Sequence, residues 1–419
     1  MKVSIESGGN KMRITEMSPG IHQLSVDLKD MLFEGIWEMP NGVTLNSYVV
    51  SGDETALIDG VCGWDGVPEN LFKMLEEMKV DVRSIKYLIL NHLEPDHSGW
   101  IRDLMKVHRD FEVLATDKGA DIFLSYFGED IKIIRVKDGD FLDLGQGKKL
   151  SFYTIPHVHW PDTMATYEES SGTLFSCDAF GGFGTYEKSP FDDGYTDEEI
   201  ESFERDTVRY YSNIVAAFSQ FVTKAVEKCS PLEIKLIAPG HGLMWRKRIG
   251  KIIEDYKNYA LYQKGDARHE VTLIWGSMYG MTEKAVKAAV EELDSIGIPY
   301  HIHRVPQESW GDVLTSVWTS SGVILGMPTY EYKMFPPMAS VLDEIGRKKT
   351  FGRKAFRFGS YGWSGGAQRE LDELTEKYKW KWDFLPPHEF KGQPTEEDLQ
   401  KVREGVRNLV ASLGKEKID

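Results

Sequence analysis

From about Ile21 to Ala238 the chain runs through short apolar stretches of β type, at 21–28, 44–50, 55–60, 85–91, 112–117, 149–155, 173–177 and 234–238. Helical spacing separates some of them, at 68–79, 98–107 and 196–229. The strands come in groups with few helices between them at first, which argues against a strictly alternating parallel sheet. A layered sheet-on-sheet core with outer helices is expected. The stretch from Leu261 to Glu270 is polar and lacks periodicity, and beyond it the pattern changes. Strand Val271 to Trp275 leads through a loop to a helix from Thr282, with apolar positions Ala285, Val286, Ala289, Val290, Leu293 and Ile296. Thr282 is the expected N-cap and Gly297 the stop. Strands at 298–304, 322–326, 354–359 and 379–384, and a last helix from Thr395 to about Leu413, complete a five-stranded, doubly wound parallel sheet. The expected division is a first domain at 1–262, a linker at 263–270 and a second domain at 271–419.

Composition narrows the class. A chain of 419 residues exceeds what one core usually serves, in keeping with two domains. A net charge of −16 disfavours nucleic acid and anionic membrane surfaces as partners, since both call for basic patches. The first residues lack an apolar signal core, and no run approaches the ~18 apolar residues of a spanning helix, so a cytoplasmic protein is expected. Cys62, Cys177 and Cys229 are odd in number and form no C-x-x-C; they read as reduced thiols without an iron–sulfur or structural zinc set.

The densest chemistry lies in His92-Leu-Glu94-Pro-Asp96-His97-Ser-Gly99, directly after the apolar run Ile85 to Leu90. Two imidazoles and two carboxylates thus fall on a strand-to-helix turn at the carboxyl end of a strand, where α/β folds place their chemistry. Both group types ligate metals. Three other strand ends carry similar groups: His157-Val-His159 with Asp162 after 149–155, Asp178 after 173–177, and Gly240-His241-Gly242 after 234–238. His157 and His159 are two apart, and extended backbone points both the same way, so spacing does not choose between them. A helix cap is the competing reading of Asp178. In the second domain the loop Gly276-Ser277-Met278-Tyr279-Gly280-Met281-Thr282 offers hydroxyls and backbone N–H groups at a helix N-terminus, a phosphate cradle. It matches neither G-x-G-x-x-G nor the P-loop, which disfavours a dinucleotide or a nucleoside triphosphate. Two further loops, Gly326-Met-Pro328-Thr329-Tyr330-Glu331-Tyr332 and Gly359-Ser360-Tyr361-Gly362-Trp363-Ser-Gly365-Gly366, combine aromatics with small residues, as a flat ring ligand requires.

The metal-ligand set resembles the metallo-β-lactamase fold, an αββα sandwich that binds two metals with an H-x-H-x-D-H turn and a later His, Asp and His. Here Glu94 takes the second His position, which makes the site harder and moves its preference from zinc towards iron. The resulting H-x-E-x-D-H turn is that of the flavodiiron proteins, also called A-type flavoproteins or rubredoxin:oxygen oxidoreductases. His159-Trp-Pro-Asp-Thr-Met, Leu174-Phe-Ser-Cys-Asp178, Tyr210-Tyr-Ser-Asn-Ile and Pro239-Gly-His241-Gly look like that family too. The resemblance implies one iron on His92, Glu94 and His159, a second on Asp96, His97 and His241, and Asp178 bridging them; it selects His159 over His157. It also implies a flavodoxin-like second domain whose FMN is held by Ser277 to Thr282, by Pro328, Thr329, Tyr330 and Glu331, and by Ser360, Tyr361, Gly362, Trp363 and Gly365. Many relatives carry Asn where this chain has Glu331.

Two irons and one FMN per chain are the cofactors the resemblance implies, and reduction of dioxygen to water or of nitric oxide to nitrous oxide is the reaction. No rubredoxin-like C-x-x-C pairs and no NAD-binding domain follow the second domain, so a separate rubredoxin-like donor is expected. Members of the family work as head-to-tail dimers, so a homo-oligomer is expected here. The alternative is a zinc hydrolase of the metallo-β-lactamase superfamily with a flavodoxin domain, against which Glu94 argues. A pure electron carrier with a decayed metal site is a third reading; all seven ligand positions being filled argues against it. Trp37 reads equally as a core residue or as a wall of the metal pocket.

Overall fold

The computed structural model describes residues 2–7, 10–61 and 70–413. Cys62 and the first positions of the helix expected at 68–79 lie outside the described residues; the helix is Asn70–Glu77. The chain forms two compact units, Met1–Tyr210 with Gln220–Lys257, and Tyr211–Ser219 with Asn258–Asp419. Among the described residues no helix is long and apolar enough to cross a membrane.

The first unit is built on two sheets. In the larger, Lys2–Ser7, Asn10–Ser18, Ile21–Leu28, Val43–Ser51 and Thr55–Ile58 follow one another antiparallel, and Ile85–Ile89, Glu112–Ala115 and Lys132–Arg135 continue it in parallel. The smaller runs Phe141–Asp143, Lys149–Thr154, Met164–Glu168, Thr173–Cys177, Leu236–Pro239, with only the last strand parallel to its neighbour. Tyr48, Val50, Ile58, Ile89 and Leu114 of one sheet meet Phe152, Met164, Phe175 and Ala238 of the other in a single apolar core. Each fully buried aliphatic or aromatic side chain there stabilises the sandwich by about 1.5–3 kcal/mol. Met164–Glu168 escapes sequence reading because all five residues are buried, which leaves no alternation to see.

The second unit is the doubly wound sheet that the pattern implies. Its strands lie in the order Tyr300–Arg304, Arg268–Trp275, Ser320–Gly326, Lys354–Tyr361, all parallel. The fifth position, expected at 379–384, is filled by two short pieces, Asp383–Phe384 and His388–Lys391, both paired with Lys354–Tyr361. The last helix is Glu396–Ser412, capped by Thr395.

Two local expectations are corrected. The stretch 196–229 is not one helix: Asp197–Tyr210 is α-helical, Tyr211–Val215 widens to a π turn, Ala216–Phe218 tightens to 3₁₀, and Ser219–Cys229 resumes the α-helix. Outside donors explain the break: Lys348 Nζ bonds to Asn213 O, and Gln263 Nε2 donates to Ala216 O at 3.1 Å. Ser212 also pairs with Thr315 at 2.9 Å. Carbonyls served from outside the helix no longer hold it to the α register. The second correction is the N-cap of the helix Met281–Ile296, which is Gly280 at φ +82° and not Thr282. Thr282 is buried and pairs instead with Ser360 Oγ at 3.0 Å.

Candidate metal centre and ring-binding loops

Four strand ends of the first unit converge on one place. Ile85–Ile89 delivers the turn Asn91 to Glu94 and the short helix Pro95–Ser98, whose first bond is His97 N to Glu94 O at 2.9 Å. Asn91 fixes the turn, since its N–H donates to Asp59 Oδ1 at 2.8 Å and its side-chain oxygen accepts from Thr166 Oγ1 at 2.7 Å. His159 arrives on the turn after Lys149–Thr154, and Asp178 follows Thr173–Cys177 through Cys177 at φ +54°. His241 follows Leu236–Pro239 between two glycines that the packing demands. A Cβ on Gly240 would lie 2.7 Å from His97 Cε1, and one on Gly242 would lie 2.6 Å from Gly182 O.

All seven side chains expected to ligate metal are brought together. Glu94 Oε2 lies 2.9 Å from His159 Nε2 and 3.2 Å from His92 Nε2. Asp96 Oδ2 lies 3.3 Å from His241 Nε2 and 3.6 Å from His97 Nε2. Asp178 spans the two groups. Its Oδ2 is 3.6 Å from His92 Nε2 and 3.5 Å from His159 Nε2, while its Oδ1 is 3.1 Å from both His97 Nε2 and His241 Nε2. His92, Glu94, His159 and Asp178 form one group close enough to share an ion, and Asp96, His97 and His241 form another. His157 stays outside, its ring 4.5 Å from that of Phe221.

The electrostatics suit a cation pair. Burial pushes Asp178 up, but His97 and the hydrogen bonds from His241 and His97 prevail and hold it well below the carboxylate range. Glu94 is likewise lowered by His159 and His92 against its burial. Burial pushes Asp96 up despite His97. His97 rises to about 10, Asp96 and Asp178 outweighing its desolvation. Both oxygens of Asp96 and Oδ2 of Asp178 are buried and make no hydrogen bond among the described residues. Three carboxylates buried with four imidazoles need positive charge, and divalent ions supply it in place of protons. The donor set is nitrogen and oxygen without sulfur, the set for iron more than for a thiophilic ion.

Several neighbours of this site carry weak signals or none in sequence. Asp162 Oδ2 lies 3.2 Å from His92 Nδ1 and accepts from Leu93 N at 2.9 Å, which points His92 Nε2 at the centre. Asp59 Oδ2 lies 3.9 Å from His97 Nδ1 and is raised to about 6, chiefly by burial. With Cys177 these two form a third cluster of ligand type. His97 turns its Nε2 to the main site, so Asp59 lies behind it as a support. Asp59 closes an apolar strand as Asp178 does, and that shared signal would have found it. Tyr210 packs its ring 5.5 Å from the ring of His241, and its buried hydroxyl has no hydrogen-bond partner among the described residues. Phe33 stands 5.4 Å from the same ring. Trp37 is buried and donates to Glu34 Oε2 at 2.9 Å.

In the second unit the three aromatic and small-residue loops lie at the carboxyl ends of adjacent strands, Arg268–Trp275, Ser320–Gly326 and Lys354–Tyr361. Gly280 gives the helix Met281–Ile296 no side-chain cap, which leaves an N-terminus open to an anion among the described residues. Ser277 Oγ accepts from Gly280 N at 3.0 Å and shapes that turn. The loops close on one another: a Cβ on Gly359 would lie 1.7 Å from Met327 O, and one on Gly366 would lie 1.9 Å from Tyr332 O. Glu331 and Tyr332 sit at φ +46° and +66°, backbone strain of the kind ligand loops hold. Tyr279 and Trp363 are 83% and 73% exposed, with Tyr330, Tyr332 and Met278 also outward, an apolar surface suited to a flat ring.

Comparison with known proteins agrees with both halves. Residues 43–242 match the ODP family beta lactamase description, and residues 273–405 match flavodoxin. The nitric oxide reductase of Moorella thermoacetica is 31% identical over 393 residues, which cover 93% of this chain and 96% of that protein. Rubredoxin oxygen:oxidoreductase from the anaerobe Desulfovibrio gigas superposes with a TM-score of 0.89 at 26% identity, covering 96% of this chain and 98% of that one. A point mutant of the flavo di-iron protein from Thermotoga maritima gives 0.87 at 31% identity, covering 97% and 100%. A metal-type sandwich with a carboxylate-bridged double cluster, a flavodoxin unit and relatives that match over nearly their whole length lead to one conclusion: the chain belongs to the flavodiiron protein family.

Proposed function

We propose that this chain is a cytoplasmic oxidoreductase that reduces nitric oxide to nitrous oxide, dioxygen to water, or both, at a diiron site supplied with electrons by FMN. The observation that carries the reading is Asp178, whose two oxygens face two separate histidine–carboxylate groups. His92, Glu94 and His159 would hold one iron, Asp96, His97 and His241 the other. In this reading 1–262 is the metal module, 263–270 the join and 271–419 the flavin module, with Ser277 to Thr282 at the phosphate. Pro328 to Glu331 and Ser360 to Gly365 would take the ring and ribityl chain. When bound, two ferrous ions and a reduced flavin supply four electrons, enough with four protons for dioxygen to two waters; two nitric oxides need two electrons and two protons.

The residues around the site do the remaining work. Phe33, Phe183 and Tyr210 pack ring against ring beside His241 and keep bulk water from it. Glu94, 12% exposed, is the least buried of the proposed ligands and marks the side from which a small gas enters. The Tyr210 hydroxyl holds a proton beside the site, since burial pushes its pKa well up. A separate rubredoxin-like protein is the proposed electron donor, and a head-to-tail homo-oligomer, dimer or tetramer, the proposed assembly. The zinc hydrolase alternative is not favoured, because Glu94 stands where those enzymes carry His and the relatives are reductases.

The test is metal content followed by anaerobic turnover. Protein expressed with ample iron should hold about two irons per chain and consume nitric oxide or dioxygen when given reduced rubredoxin. Two zincs and no iron under the same conditions would overturn the reading and promote the hydrolase.

A further inference from the structure

Beneath the candidate ring-binding loops lies a charged pair whose guanidinium is interior and whose carboxylate is partly exposed. Arg357, in the strand Lys354–Tyr361, is completely buried. Its Nη1 lies 2.7 Å from Glu389 Oε1, and its Nη2 donates to Met327 O at 3.4 Å. Met327 leads directly into the loop Pro328 to Tyr332, and Glu389 Oε2 lies 3.3 Å from where a Cβ of Gly365 would stand. One guanidinium therefore bonds to the backbone at the base of the second loop and, through Glu389, sits under the third. Phe356 and Phe358 enter the apolar core, so the pleat sends Arg357 to the opposite face.

A buried ion pair contributes little net stability, because desolvation offsets its attraction. This pair is also unbalanced. The Arg357 side chain is 1% exposed and the Glu389 side chain 28%, so water screens the carboxylate more than the guanidinium. The guanidinium is thus the less screened charge of the pair.

We propose that the Arg357–Glu389 pair sets the redox balance of a flavin bound on these loops, with the guanidinium favouring the reduced, anionic ring. The proposal rests on the FMN reading above. On full reduction near neutral pH the isoalloxazine gains two electrons and one proton, hence one negative charge. A cation in a low-dielectric site stabilises that form over the neutral oxidised ring. Removing Arg357 leaves the negative charge of Glu389, and removing Glu389 leaves Arg357 with Asp372 as its remaining acidic neighbour. The two changes therefore move the potential in opposite directions. A clamp that merely held the loops together would move both the same way.

The experiment is a dithionite titration of FMN in the full-length protein, read against redox dyes, with FMN dissociation constants, for Arg357→Met, Arg357→Lys and Glu389→Gln. Arg357→Met should lower the ratio of reduced to oxidised flavin affinity about tenfold, which is about 30 mV for a two-electron couple. Glu389→Gln should raise it by a similar factor, and Arg357→Lys should stay near the parent. Shifts of the same sign, or bound FMN with an unchanged potential, overturn the proposal. Should Arg357→Met fail to fold, Glu389→Gln at its partly exposed position decides alone. A parent protein that takes up no FMN instead overturns the flavin reading, and shows it before any potential is measured.

Discussion

Asp178 and Asp162 are chemically alike, and geometry gives them different work. Asp178 offers an oxygen to each histidine–carboxylate group, whereas Asp162 holds the far nitrogen of His92 and the N–H of Leu93. Carboxylates behind ligating imidazoles typically account for 10–100-fold in metal affinity. Asp162→Ala should weaken iron binding by about that factor in chelator competition, and Asp162→Asn, which keeps an oxygen acceptor, should recover most of it. Equal loss in both would assign Asp162 to charge and not to orientation. Away from the site, Asp206 is 6% exposed, is met by Asn41 Nδ2 at 3.1 and 3.2 Å, and is raised by burial from 3.8 to about 6. An acid raised in the folded state gives its full stabilisation below its unfolded pKa and loses it as pH climbs through the folded one. Asp206→Asn should accordingly leave stability little changed near pH 4 and increase it near pH 8, by up to about 3 kcal/mol. Urea denaturation at the two pH values checks this, and a pH-independent difference would refute it.

Among the elements, caps were legible where chemistry is local and illegible where a neighbour intervenes. Thr395 Oγ1 accepts from Asp398 N at 3.2 Å while Asp398 Oδ2 accepts from Thr395 N at 2.8 Å, a reciprocal cap readable from Thr and Asp three apart. Thr395→Ala should cost about 1 kcal/mol, seen as a lower thermal midpoint for the unit that carries Glu396–Ser412. A variant as stable as the parent would show that packing of Val402, Val406 and Leu409 alone holds that helix. Thr282 looked like a similar cap, yet Gly280 takes the position and Thr282 turns to Ser360. That exchange frees the helix N-terminus for a ligand. The break at Tyr211–Val215 was illegible for the same reason: Lys348 and Gln263, more than forty residues on, supply the donors.

For the whole molecule, the two units have separate cores and separate proposed ligands. A ligand at 100 times its dissociation constant stabilises the state that binds it by about 2.7 kcal/mol. Calorimetry should show iron raising one unfolding transition and FMN another. A single transition raised by both would show that the units unfold together.

What the sequence determined by itself follows from short-range rules. Short apolar runs located most strands, the change from grouped strands to strand–helix alternation near Glu270 located the second fold, and candidate ligands clustered at strand ends pointed to the candidate metal centre. Glu94 in a turn of histidines even indicated iron. Tertiary structure alone decided which atoms meet. It turned inward His159, which spacing left open and the family resemblance selected, left His157 beside Phe221, and gave each oxygen of Asp178 to a different pair of imidazoles. It recruited Asp59 and Asp162 behind the ligands and buried Arg357 under the ring-binding loops. The physical reason is range. Periodicity and capping act over a few residues, whereas an imidazole's orientation and a buried charge's partner are set by groups that only the folded sheets bring within about 3 Å.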